Sequence, residues 1–319
     1  MVALALAVLL AATPVQQPPP LSAPQDPPAR AAPADPEPVD LDDVEITGRP
    51  LDAMIRSFVN EVAEPNRRRG LARWDDEICV GVANLRGEPA RFIADRVSTV
   101  AEDMGLRAGG PGCTPNVLVV ASDQPSQLAD EMVRERRRAF RRGGAGMDRG
   151  GSALRAFVAS EAPVRWWQVS MPVDSETGQR ATRIPGECIE PCNSTLQYAP
   201  QISVFAASRL STQIVDDLFS TVVILDINKV SGISAQQLAD YVAMVTLAQI
   251  DPDADTSGYA SILNLFEEPD TAGLTTWDMA YLQGLYDAQR TRKNLRAGRM
   301  EIADSIGRAH QALRAAEEE

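Results

Sequence analysis

Among residues able to act as general bases or metal ligands, histidine is nearly absent: His310 is the only one, and it lies in a polar C-terminal stretch. A Ser-His-Asp or Cys-His arrangement needs an imidazole beside its nucleophile, so neither can operate in the folded body. A histidine-based zinc site lacks its nitrogen ligands for the same reason. The chain contains no G-x-S-x-G elbow, phosphate loop or dinucleotide fingerprint. Carboxylates remain. Two of them could hydrolyse a glycoside, but sequence spacing cannot sort 44 Asp and Glu residues into a working pair. Asp251-Pro252-Asp253-Ala254-Asp255 opens like a calcium loop. Its sixth position is Thr256, where the turn needs Gly, and its twelfth is Ile262, where a bidentate Glu is needed. It reads as a surface turn with weak calcium affinity at most.

Three other stretches carry suggestive residues. The arginine-dense run Arg134 to Arg142 could face an anion. A solvated helix end, with cations on the negative pole of the helix dipole, accounts for it more simply. The glycine-rich segment that follows, GGAGMDRGG over 143–151, comes after a helix and matches no phosphate-loop spacing, so it reads as a loop. Trp166 and Trp167 sit in tandem on an expected strand, where successive side chains point to opposite faces. One must be core. The other could be a ligand platform, or could lie under the long loop over 174–200.

Four cysteines suit two disulfides, and Cys79–Cys113 with Cys188–Cys192 is the expected pairing. The apolar opening MVALALAVLLAAT is too short for a bilayer span and resembles a signal peptide over 1–13. A Pro-rich, acidic linker over 14–43 follows, with too little apolar surface to offset its ordering entropy. Periplasmic or secreted localisation is expected, with no later membrane span. The formal net charge of -13 argues against nucleic-acid binding.

A single α+β domain is expected over 44–290, with a polar C-terminal helix over 291–319. Helical spacing marks a segment after Pro50 and another after Pro89. Apolar runs mark about five strands, near 78–83, 117–121, 165–171, 202–206 and 222–227, in a mixed sheet. Residues 211–218 read as a short helix or turn. The central unit is the strand over 222–227 and a long helix leaving Ser234, followed by Ser261-Ile262-Leu263. Thr275-Thr276-Trp277-Asp278 has capping-box form, so Asp278 reads as a helix cap rather than a catalytic acid.

Taken as a series, ICVGV, PGCTPNVLVV, PVRWW, QLADYVAMVTLAQIDP, SILNLF and LTTWDMAYLQGLY resemble a family of uncharacterised exported bacterial proteins. The succession of strand, long helix, turn and LTxxDxxxLxxLY is also similar to the C-terminal half of the zincin metallopeptidases, especially the metzincin type. In that family the helix carries HExxH and the turn carries Met. The resemblance puts Asp240 and Met244 at the two histidines, Tyr241 at the glutamate and Leu263 at the Met of the turn. None of these can rebuild a zinc site that activates water, so the resemblance implies a catalytically dead scaffold without metal or cofactor. The expected function is an exported, non-enzymatic binding or envelope-associated protein. Its partner would be an envelope component or small ligand, with a cleft near Trp166, Trp167, Asp240, Tyr241 and Met244. The alternative is a carboxylate-dependent hydrolase of envelope polysaccharide or peptide.

Overall fold

The computed structural model describes residues 50–66, 69–142, 146–184, 187, 194–204 and 208–318. They belong to one compact unit, Gly48–Glu319. In chain order the elements are α1 (Leu51–Val62), β1 (Glu77–Ile78), β2 (Val80–Ala83), α2 (Glu88–Asp103), β3 (Arg107–Ala108) and β4 (Val117–Ser122). Then come α3 (Pro125–Glu135), α4 (Arg137–Phe140), α5 (Gly151–Ala159), β5 (Val164–Asp174) and β6 (Ile214–Asp226). The last helices are α6 (Ala235–Leu247), α7 (Thr276–Asp287) and α8 (Leu295–Glu317). The fold is α+β.

The described strands form a four-stranded sheet in the order β2-β4-β6-β5, with β1 and β3 as a separate parallel pair. β2, β4 and β6 run parallel, and β5 closes the edge antiparallel to β6. A strand at 202–206 is expected from the sequence. Residues 202–204 carry no strand and 205–206 lie outside the described residues. The helix or turn expected over 211–218 is instead the first part of the 13-residue strand β6. Asp216 and Asp217 make that stretch look polar, but each carboxylate is taken up by a distant arginine, Arg69 and Arg290 respectively. With those charges paired, the segment can pair with β5 as a strand.

The sheet divides two cores. Against one face pack α1, α2, α6, α7 and α8, around Phe58, Val97, Leu225 and Met244. Against the other pack α3, α4 and α5, around Phe140, Phe157 and Ile224. The alternation expected of tandem tryptophans holds: Trp166 enters the first core and Trp167 the second. The starts of α6 and α7 follow the capping chemistry. Ser234 and Gln237 cap α6 reciprocally, and Thr275 and Asp278 do the same for α7. The expected Ser126 cap is not seen: α3 starts after Gln124 without a side-chain cap, with Pro125 in the first helical turn.

Cys79 and Cys113 are joined, with Cα atoms 6.1 Å apart. The bridge ties the β1–β2 junction to the loop before β4. The expected Cys188–Cys192 bridge, the signal-like segment and the linker over 14–43 lie outside the described residues. The C-terminal helix α8 packs on α7 and α1, burying Ala303, Ser305 and Ile306. Among the described residues, no helix is long and apolar enough to cross a membrane.

Candidate functional site

Helix α6 runs through the first core, and every residue from Leu238 to Leu247 is buried. Trp166 and Trp167 on β5 are buried too, so the five residues expected to border a cleft are interior. Asp240 is 1% exposed. Its Oδ1 lies 2.5 Å from Arg96 Nε on α2. Its Oδ2 accepts from Gln236 Nε2 at 2.8 Å and from the Leu274 amide at 3.1 Å. Tyr241 packs edge-on against Trp166 and Phe266, and burial pushes its phenol well above the usual range. Met244 is fully buried, and Leu263 is half-buried against the same core. Trp167 is no platform, because it packs on Phe157 and its indole N–H donates to the Phe140 carbonyl at 2.9 Å. Asp278 is a buried cap that also accepts from Ser261 Oγ at 2.6 Å. Among the described residues, no group of three His, Cys, Asp or Glu side chains could hold a metal ion.

The open space lies elsewhere. A cavity of about 1110 Å³ is walled by residues 65–73, 146–150, the start of β6 and residues 285–302. Eight basic side chains line it, against the carboxylates of Asp148 and Asp216. In a chain of net charge -13 such a concentration of cations is unexpected.

Pairing decides which of these charges are available. Arg69 grips Asp216 with two nitrogens, Nε lying 3.1 Å from Oδ2, a geometry suited to a partly buried pair. Arg141 Nε lies 2.9 Å from Asp148 Oδ1. Arg290 pairs with Asp217 and Asp75. Arg73 makes no ion pair among the described residues. It donates to the carbonyls that end α7, at Leu285 (2.5 Å), Tyr286 and Ala288 (3.4 Å), where a cation suits the helix dipole. Burial, then the neighbouring Arg290 charge, lowers the Arg73 guanidinium to about 10, so it stays cationic at neutral pH.

Behind Pro65 and Arg149, which line the cavity, Ala63 and Ile250 form an antiparallel bridge that brings Glu64 beside Asp251. Arg149 contacts both carboxylates, lying 3.5 Å from Asp251 Oδ1 and in an ion pair with Glu64. Burial raises the Glu64 carboxyl to about 7. Arg149 opposes the rise, and the hydrogen-bonded Asp251 adds to it. Burial likewise raises Asp148. Among the buried atoms here without a hydrogen-bond partner in the described residues are Asn66 Oδ1 and Asp148 Oδ2, together with Glu64 Oε2 and the Nε groups of Arg141 and Arg149, which take part in ion pairs.

The motifs expected to matter contributed in altered roles. Of the arginine run, Arg134 to Arg138 are exposed as expected, while Arg141 turns to Asp148 in the cavity. The calcium-like turn supplies Asp251 to the Arg149 pair rather than a metal loop. Glu64, Asn66 and Arg73 carry no motif, Asp148 lies in the glycine-rich segment that reads as a loop, and only the tertiary fold brings them to one region. No protein-family model, curated protein or solved structure matches the chain.

Proposed function

We propose that this chain is an exported, non-enzymatic binding or envelope-associated protein on a peptidase-like scaffold whose chemistry is lost. The observation that carries the reading is the contrast between two places. The α6 positions that a zincin-like metal site would need are packed solid around the Arg96–Asp240 pair. A large cavity with unpaired polar groups lies at another part of the same unit, and concave sites with a few convergent polar groups are where ligands bind. The succession of β6, α6, the 3-10 turn Ile262–Asn264 and α7 supports the scaffold likeness. The Cys79–Cys113 bridge supports export, because disulfides persist in oxidising compartments. Metal analysis of the purified protein together with a casein-hydrolysis assay tests the reading. The expected outcome is substoichiometric zinc and no cleavage; one tightly held zinc with cleavage would overturn it.

A second reading, a carboxylate-dependent hydrolase, is favoured by Glu64. A carboxyl raised to about 7 beside a second carboxylate is what a general acid requires. Turnover of purified peptidoglycan that disappears in Glu64→Gln would establish this reading in place of the first.

A further inference from the structure

The geometry points to a short peptide with free ends as the ligand of the cavity, its C-terminal carboxylate at Arg73 and Lys293 and its N-terminal ammonium at Asn66 and Asp148. This inference rests on the binding-protein reading and names its ligand.

The cavity is polarised. At the wall formed by the end of α7 and the start of α8, Arg73 and Lys293 make no ion pair among the described residues, and both line the space. Lys293 is exposed, and Arg73 is half-buried with its charge set against carbonyls rather than a carboxylate. A partly desolvated cation without a counterion attracts an anion more strongly than a hydrated one does. The neighbouring Arg290 is paired with Asp217 and Asp75, so Arg73 and Lys293 carry the charge of this wall.

At the other wall the cations are neutralised: Arg141 by Asp148, and Arg149 by Glu64 and Asp251. The buried polar atoms left without a hydrogen bond there include two oxygens, Asn66 Oδ1 and Asp148 Oδ2, beside the Nε groups of Arg141 and Arg149, whose charges are already paired. Asn66 is 2% exposed and Asp148 is 7% exposed, and each keeps one oxygen unpartnered. One serine holds the two together. Asn66 Nδ2 donates to Ser170 Oγ at 2.8 Å, and the Ser170 amide donates to the Met147 carbonyl, next to Asp148, at 2.8 Å. A buried acceptor left unpaired is costly, so these two oxygens favour a ligand that brings N–H donors.

A simple anion would satisfy the first wall and leave the second unpaired. An acidic saccharide would bring donors, but its C–H face packs best on an aromatic ring, and no described residue lining the cavity is aromatic. A peptide supplies a carboxylate, an ammonium and backbone amides in one chain. At about 1110 Å³ the cavity exceeds the ~300–1,000 Å³ usual for drug-sized ligands, which suits several residues rather than one amino acid.

The test is isothermal titration calorimetry of the purified full chain with four probes: trialanine, N-acetyl-trialanine, trialanine amide and glucuronate. Trialanine is expected to bind, with acetylation and amidation each weakening it at least tenfold. Asp148→Asn should weaken trialanine about tenfold while leaving N-acetyl-trialanine unchanged. Lys293→Ala, at an exposed position, should weaken trialanine while leaving the amide unchanged. Either blocked peptide binding as tightly as trialanine would overturn the inference. Glucuronate binding without trialanine would overturn the peptide assignment and leave the binding-protein reading standing. Silence from all four probes would overturn the peptide assignment and count against a ligand in this cavity altogether.

Discussion

Arg96 Nε on α2 meets Asp240 Oδ1 on α6 at 2.5 Å, where Asp240 is 1% exposed. The pair joins α2 and α6, which pack against each other on the first core face. Asp240 Oδ2 reaches on to the Leu274 amide and so also holds the segment leading into α7. Breaking a buried pair by removing one partner costs about 3–5 kcal/mol, because the other charge is stranded. Here the low end applies, since Arg96 is 29% exposed and can turn to water. Asp240→Ala should therefore lose about 3 kcal/mol in urea unfolding. Asp240→Asn, which keeps an acceptor, should lose less. Equal losses in both would mean that packing rather than charge holds this position.

Glu64 makes stability depend on pH. Its folded carboxyl sits near 7, above the ordinary value of 4.5. The folded state therefore holds a proton that the unfolded state releases between about pH 4.5 and 7. Stability from this group is fully present at the acid end and is lost as pH rises through 7. The shift corresponds to at most about 3 kcal/mol, reduced in practice because Glu64 keeps some contact with water. Glu64→Gln should flatten the fall in stability between pH 5 and 8 and should exceed wild type at pH 8. Parallel stability curves for the two proteins would show an ordinary carboxyl at this position.

Much of the fold is written in local pattern. The α1 stripe of Ile55, Phe58, Val59 and Val62, both capping boxes and the tandem tryptophans act through neighbours in sequence, so period and cap chemistry locate them. The start of β6 escapes that logic because Asp216 and Asp217 are neutralised from Arg69 and Arg290, far away in the chain. The cavity escapes it more fully. Glu64 and Asp251 become neighbours only through the Ala63–Ile250 bridge. Asp148 reads as a loop residue until Arg141 and Gly150 are seen to enclose it, the Gly150 amide 2.9 Å from Oδ1. The helix α6 was legible as an element, but its setting was not: the sequence allowed Asp240 a cleft, and Arg96 provides a core partner instead.

The Cys79–Cys113 bridge closes a loop of sequence separation 34 that contains all of α2. Chain-entropy arithmetic for such a loop gives about 3–4 kcal/mol. Replacing both cysteines with serine should lower stability by up to that amount, and a reducing agent should lower wild type but leave the double variant unchanged. An equal effect of reductant on both would place the redox sensitivity elsewhere in the chain.

Gly284 on α7 sets how closely α8 can approach. A Cβ added there would lie 2.5 Å from the Ile306 backbone, closer than any side chain can sit without movement. Two effects of Gly284→Ala compete. Alanine favours an isolated helix over glycine by about 1 kcal/mol. Against this, α8 must shift as a body, because the obstructing atoms are backbone, and overpacking costs about 1–3 kcal/mol. The clash should win, and Gly284→Ala should lower the melting temperature by several degrees. Hydrogen exchange should locate the loss, with faster exchange in α8 and little change in α2 or β4. Unchanged protection in α8 would mean that Ile306 relaxes locally and that Gly284 does not fix the helix spacing.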